Sequence, residues 1–135
     1  MPVVDASVAL KWFVDEPDSA LARTLRDAHI AGQSPLVAPD LLIYEVANAL
    51  LHNPRFTQHE TERALTTLYD LQLELVMPTI ELTHTVIQVA SRYELTFYDA
   101  LYVGLTQELG MELITADQRL AHRVHALGMV TLLRP

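Results

Sequence analysis

The sequence predicts an α/β protein built on a central parallel sheet of five strands, with helices on both faces. Three observations predict it. Five short runs recur along the chain: Val3 to Asp5, Leu36 to Ala38, Glu74 to Met77, Glu112 to Thr115 and Val130 to Leu133. They read as apolar on both faces, the pattern of strands covered from two sides. Helical patterns fill the gaps between them, and strands alternating with helices make a layered α/β sandwich. No internal repeat, low-complexity stretch or linker interrupts the pattern. Residues 1–135 are therefore expected to form one domain, a length that suits a single core.

The elements follow in order. Asp5 ends the first strand and leads into a short helical run, Val8-Ala9-Leu10-Lys11-Trp12-Phe13. Asp18 or Ser19 can cap a helix carrying Leu21, Ala22, Leu25 and Ala28. Asp40 opens the Leu41 to Leu51 segment, and Thr57 with Glu60 has capping-box spacing ahead of Ala64, Leu65 and Leu68. Thr83 stands before Val86, Ile87 and Ala90 as the expected start of the next helix. Thr96 opens the one that ends before Gly110. The last helix runs from about Gln118 to Leu127 and stops at Gly128. Turn signals sit at Asp15-Glu16-Pro17-Asp18, Gly32-Gln33-Ser34-Pro35 and Asn53-Pro54. Leu65, Leu68 and Tyr69 are expected in the core. Trp12 and Phe13 are expected in the core or at an interface.

Composition narrows the chemistry. Half the residues are hydrophobic, so the chain folds. With no cysteine, disulfides, thiolate zinc sites and thiol catalysis are excluded. Nine basic residues against seventeen acidic give a formal charge of −8, which argues against nucleic-acid binding by charge alone. It does not exclude an enzyme acting on nucleic acid, because a bound divalent cation changes the local field. No apolar run reaches the length of a membrane span, and no secretory pattern opens the chain. A soluble cytoplasmic protein is the expectation.

Four acids stand where a carboxylate is costly. Asp5 ends Val3-Val4-Asp5-Ala6-Ser7, and Asp117 ends Leu113-Ile114-Thr115-Ala116-Asp117. Glu45 interrupts Leu41-Leu42-Ile43-Tyr44-Glu45-Val46-Ala47, and Asp99 lies in Phe97-Tyr98-Asp99-Ala100-Leu101-Tyr102. Each has a plain structural reading beside the functional one. Asp5 and Asp117 can be helix N-caps, and Asp99 stands three residues after Thr96 as in a capping box. Glu45 falls on the apolar side of its helix, where a surface acid would rather replace Tyr44. Taken together, the acids lie at strand ends and in the opening turns of helices, where α/β sheets collect ligands. Converging carboxylates repel, and a hard divalent cation relieves them. A donor set of Asp and Glu alone suits Mg²⁺ or Mn²⁺ better than Zn²⁺. His122 and His125 have the spacing of a metal pair but no third ligand, and are expected on a solvated face.

In their order and spacing these segments resemble the PIN-domain nucleases, and within them the VapC-type ribonuclease toxins of prokaryotic toxin–antitoxin pairs. The resemblance runs from Val3-Val4-Asp5-Ala6-Ser7 through Pro39 to Leu50 and Tyr98 to Tyr102, closing with Leu113 to Asp117. It implies a PIN-like three-layer sandwich and endonucleolytic, Mg²⁺- or Mn²⁺-dependent cleavage of RNA. It also implies that Asp5, Glu45, Asp99 and Asp117 are the metal-binding and catalytic acids, with Ser7 and Thr115 as supporting hydroxyls. A homodimer and a small antitoxin partner are implied as well. Two alternatives keep the same fold: a catalytically silent scaffold binding RNA or a partner, and an RNA-processing nuclease that is not a toxin. A phosphorylation-receiver domain would want a lysine after the last strand, and Lys11 is the only lysine. A haloacid-dehalogenase phosphatase would want a second Asp at the position of Ser7.

Overall fold

A computed structural model describes all 135 residues. The order is β1 (Val3–Val4), α1 (Ala6–Leu10), α2 (Ser19–Ile30), β2 (Val37–Pro39), α3 (Leu41–Leu51), α4 (Gln58–Asp70), β3 (Glu74–Val76) and α5 (Ile80–Tyr93). It continues through α6 (Phe97–Leu109), β4 (Leu113–Thr115), α7 (Gln118–Arg123), a 3₁₀ turn (His125–Leu127) and β5 (Val130–Leu132). All five strands lie within a residue or two of their expected positions and pair in parallel, in the order β3-β2-β1-β4-β5.

That order places the functional end of the sheet. The chain builds outward from β1 to β2 and β3, then returns past β1 to lay down β4 and β5. The reversal opens a crevice beyond the carboxyl ends of β1 and β4, the place where open α/β sheets bind ligands. Val3 pairs with Leu113 and Val4 with Ile114, so Asp5 comes level with Thr115. The residues of β1, β2 and β4 are buried throughout, because helices cover both faces of the sheet. The edge strands β3 and β5 are partly exposed.

Twenty-seven buried hydrophobic residues form one continuous cluster. Trp12 belongs to it, and its indole Nε1 donates to the Ala22 carbonyl at 2.8 Å, tying the segment after α1 to α2. Helix α6 is buried along most of its length, lying on β1, β2 and β4 with α5 packed against it. Gly104 allows that approach. A Cβ added there would stand 2.8 Å from Val86 Cγ2 and 3.3 Å from its Cα. Gly104→Ala is therefore expected to destabilise the protein by about 1–3 kcal/mol by overpacking, although alanine is the better helix former. Urea unfolding checks this, and an unchanged or raised midpoint would refute it.

Three expectations need correction. Helix α5 begins at Ile80 and not at Thr83: Thr79 is its N-cap and accepts the Leu82 N–H, while the Thr83 hydroxyl donates back to the Thr79 carbonyl. Both threonines suit a cap, and burial of Leu82 favours the earlier start. Tyr69 is exposed, because Ala64 and Leu68 face the core and the next residue turns away by about 100°. The final helix breaks after Arg123 into the 3₁₀ turn before Gly128 closes it at φ 67°. The Thr57–Glu60 capping box forms as expected.

Candidate active site

Asp5 sits one residue past β1 and caps α1, its Oδ1 accepting the Val8 N–H at 3.3 Å. The cap is only part of its role. Ser7 donates its hydroxyl to Oδ1 and Thr115 donates to Oδ2, both at 2.5 Å. Those hydroxyls in turn accept the N–H groups of Ala116, at 2.8 Å, and Asp117, at 3.0 Å. Each hydroxyl has a single proton, and with its lone pairs turned to the backbone that proton goes to the carboxylate. The network joins the ends of β1 and β4 across the crevice. Asp5 is only 5% exposed, and burial pushes its pKa above the ordinary carboxylate value. The bonds from Ser7, Thr115 and Val8 pull it back, and the charge of Asp117 adds to the rise.

Glu45 lies mid-way along α3 on its half-buried side, and its Oε1 accepts the Tyr102 hydroxyl at 2.5 Å. Tyr102 is 2% exposed; burial and the neighbouring Glu45 push its pKa far up, so the phenol remains a donor. This contact links α3 to α6. Burial raises the pKa of Glu45, the Tyr102 bond opposes the rise, and the charges of Asp99 and Asp5 increase it. Sequence reasoning overlooked Tyr102 as a site residue. Its signal was present, since it follows Asp99 by three positions and so lies one turn away on the same helix face.

Asp99 stands in the first turn of α6. Thr96 caps that helix by accepting the Asp99 N–H at 3.1 Å, but Asp99 does not return the bond to the Thr96 N–H. The capping box is half-formed, and the carboxylate is left to the crevice. Burial raises its pKa, as does Asp117, while Arg119, Arg123 and the Thr96 hydroxyl lower it. Asp117 is the N-cap of α7: Oδ1 accepts the N–H groups of Arg119 and Leu120, and Oδ2 takes no protein hydrogen bond.

The charge couplings close a ring. Asp5 feels Asp117, Asp117 acts on Asp99, and Glu45 feels both Asp99 and Asp5. None of the four is in an ion pair; the three salt bridges, Lys11–Glu16, Arg23–Asp15 and Arg26–Asp27, are elsewhere. Four carboxylates that repel one another and form no ion pair fit a hard divalent ion in donor type, and Glu45 Oε2 and Asp117 Oδ2 are free to ligate. As placed, no three acidic or histidine side chains stand close enough together to hold one ion. The acids converge electrostatically without forming a coordination sphere. His122 and His125 are exposed, with their rings stacked at 5.9 Å and no carboxylate joining them.

Beside the acids is a hollow of about 250 Å³ lined by Leu95, Thr96, Asp99, Asp117, Arg119, Leu120 and Arg123. The arginines are one helical turn apart on α7 and face two of the four acids. Arg123 donates from Nη1 to the Glu94 carbonyl at 2.6 Å, whereas the Arg119 guanidinium has no partner. Both arginines follow Asp117 closely in the chain, and the fold brings them to Asp99 as well.

The family model for the PIN domain matches residues 3–125. Ribonuclease VapC3 of Pyrobaculum aerophilum is 32% identical over 129 residues, covering 93% of this chain and 95% of the relative. A toxin–antitoxin complex from Klebsiella pneumoniae shares the fold with a TM-score of 0.72 at 14% identity, covering 97% of this chain and 96% of the other. VapC20 of Mycobacterium tuberculosis, described as a sarcin-ricin loop cleaving toxin, gives 0.71 at 17% identity over the full length of both chains. At such identities these two structures speak to fold alone.

Proposed function

The chain belongs to the PIN-domain family, with a VapC ribonuclease matched over nearly its whole length, and from that premise we propose that it is a metal-dependent endoribonuclease and the toxin of a type II toxin–antitoxin pair. In this reading residues 1–135 form one nuclease domain that hydrolyses RNA phosphodiester bonds. The observation that carries it is the ring of Asp5, Glu45, Asp99 and Asp117, four carboxylates of which none is in an ion pair, at the crevice between β1 and β4.

Each residue has a role that follows from its surroundings. The four acids are the oxygen donors that would hold Mg²⁺ or Mn²⁺. Ser7 and Thr115 fix both oxygens of Asp5, and Tyr102 fixes one oxygen of Glu45. Such partners orient a ligating carboxylate and tune its basicity. When bound, the ion supplies an acidified water and positive charge against the phosphate. Arg119 and Arg123 offer guanidinium donors to the phosphates of a strand crossing the same hollow, and arginine suits those oxygens better than lysine. A small antitoxin and a second copy of the chain are the proposed protein partners. No helix is long and apolar enough to cross a membrane.

The test is cleavage of labelled structured RNA with Mn²⁺ or with EDTA. Cutting with Mn²⁺ that EDTA abolishes supports the reading. The silent-scaffold alternative draws on the dispersed placement of the acids. RNA binding without cutting, and no Mn²⁺ uptake by paramagnetic resonance, would favour it. Arg119→Ala is expected to raise KM about tenfold with kcat little changed, and to reduce the dependence of log binding on log salt by about one. Equal salt slopes for the two proteins would remove Arg119 from the phosphate path.

A further inference from the structure

We propose that Arg123 is a positioning residue of the acid ring: its hold on the Glu94 carbonyl ties the start of α6 to α7 and so sets where Asp99 stands relative to Asp117. This rests on the nuclease reading for the cation those acids serve, and adds to it the device that keeps two of them in register.

Asp99 and Asp117 reach the crevice on elements with little else in common. Helix α6 lies with α5 against β1, β2 and β4, whereas α7 packs on β4, β5 and the 3₁₀ turn. The covalent path between the two acids runs down α6 to Gly110 and back up through β4, so it does not fix the spacing of their carboxylates. One hydrogen bond spans the gap directly. Arg123 Nη1 donates to the Glu94 carbonyl at 2.6 Å, and no other hydrogen bond or salt bridge joins α7 to α5, α6 or the turn between them.

The turn is built to pass that hold on. Glu94 closes α5 with φ 55° and ψ 48°, the left-handed region where a side chain is disfavoured and glycine is usual. Such a conformation persists where its surroundings hold it, and here the guanidinium holds its carbonyl. Two residues on, Thr96 caps α6 and accepts the Asp99 N–H at 3.1 Å, while the Ala100 N–H donates to the Thr96 carbonyl at 3.0 Å. Only Leu95 to Tyr98 separate the pinned carbonyl from Asp99.

Charge and position make opposite demands. Arg119 and Arg123 both pull the Asp99 pKa down, so each guanidinium attracts its carboxylate and competes with a cation for it. By charge alone, removing either arginine would tighten binding of a divalent ion. Arg123 has a backbone partner, and the Arg119 guanidinium has none.

The experiment measures Mn²⁺ affinity by paramagnetic resonance and amide exchange of the metal-free protein by NMR, for wild type, Arg119→Ala, Arg123→Ala and Arg123→Lys. Arg123→Ala is expected to weaken Mn²⁺ binding about fivefold despite the lost positive charge, the scale of one exposed charge-assisted hydrogen bond. Arg119→Ala should bind Mn²⁺ as tightly as wild type or more tightly. Arg123→Lys keeps a donor and a charge, and should stay within about twofold of wild type because a single bond needs no planar fork. Without metal, the Leu95, Asp99 and Ala100 amides should exchange faster in Arg123→Ala than in the other proteins, with those of Leu113 to Thr115 unchanged. Tighter Mn²⁺ binding by Arg123→Ala, matching Arg119→Ala, would overturn the proposal, as would amide exchange at the wild-type rate. Faster exchange extending to Leu113 to Thr115 would also overturn it, making Arg123 an ordinary structural contact. Wild type that takes up no Mn²⁺ would sink the nuclease reading, and the exchange pattern would still decide for or against the tie.

Discussion

Asp5→Asn is expected to lower metal-dependent RNA cleavage by at least about a hundredfold while leaving the fold intact. The loss follows from charge: a neutral amide is a poor ligand for a hard cation, and removing a group that works directly at the reacting centre costs on the order of 10²–10⁴ in rate. The intact fold follows from geometry. Asparagine matches the shape of aspartate, its Oδ1 can accept the Val8 N–H and the Ser7 hydroxyl, and its amide can donate to Thr115 Oγ1. A kinetic assay with Mn²⁺, paired with a urea unfolding curve, checks both halves. Cutting at the wild-type rate would mean that Asp5 is only a cap and a strand tie. A collapsed unfolding midpoint would mean that the charge itself, and not just the shape, holds the ends of β1 and β4.

The metal-free protein is expected to lose stability as pH rises from about 4 toward neutrality, and Mn²⁺ is expected to restore it. Asp5, Glu45 and Asp99 all have folded pKa values raised, chiefly by burial. A raised carboxylate binds protons in the folded state that the unfolded chain has already released. Its contribution is therefore complete below the unfolded value near 4 and is lost as pH climbs through the folded one. A divalent ion needs the deprotonated acids, so its effect grows over the same window. At a free concentration one hundred times Kd, Mn²⁺ should add about 2.7 kcal/mol and raise Tm by roughly 10 °C at neutral pH. Urea midpoints and thermal scans at pH 5 and pH 7.5, with Mn²⁺ or EDTA, read this directly. A Tm indifferent to Mn²⁺ at pH 7.5 would count against a metal site at the ring.

Much of this was legible in the amino-acid order. Strands such as Val3–Val4 and Leu113–Thr115 are apolar on both faces, and that periodicity is local, so positions and parallel pairing follow from sequence. Threonine caps at Thr57 and Thr96 are equally local. The choice between Thr79 and Thr83 was not, because both offer the same hydroxyl and only burial of Leu82 against the rest of the protein separates them. For Asp5 and Asp117 the cap reading and the site reading proved compatible: each uses one oxygen for a helix terminus, and each also faces the other acids.

The sequence by itself determined that Asp5 and Asp117 follow strands, that Asp99 opens a helix and that Glu45 interrupts the apolar side of another, since burial of a stretch is written in its own hydrophobic pattern. Strand order was a tertiary decision. Placing β4 beside β1 brings Thr115 to Asp5 across 110 positions, and packing α6 near α3 brings the Tyr102 hydroxyl to Glu45 across 57. The arrival of Arg119 and Arg123 beside Asp99 has the same origin. Hydrogen bonds and charge couplings act over a few ångströms in space, whatever the separation along the chain. A pattern read residue by residue can show which side chains need partners, and only the folded path decides which partners they meet.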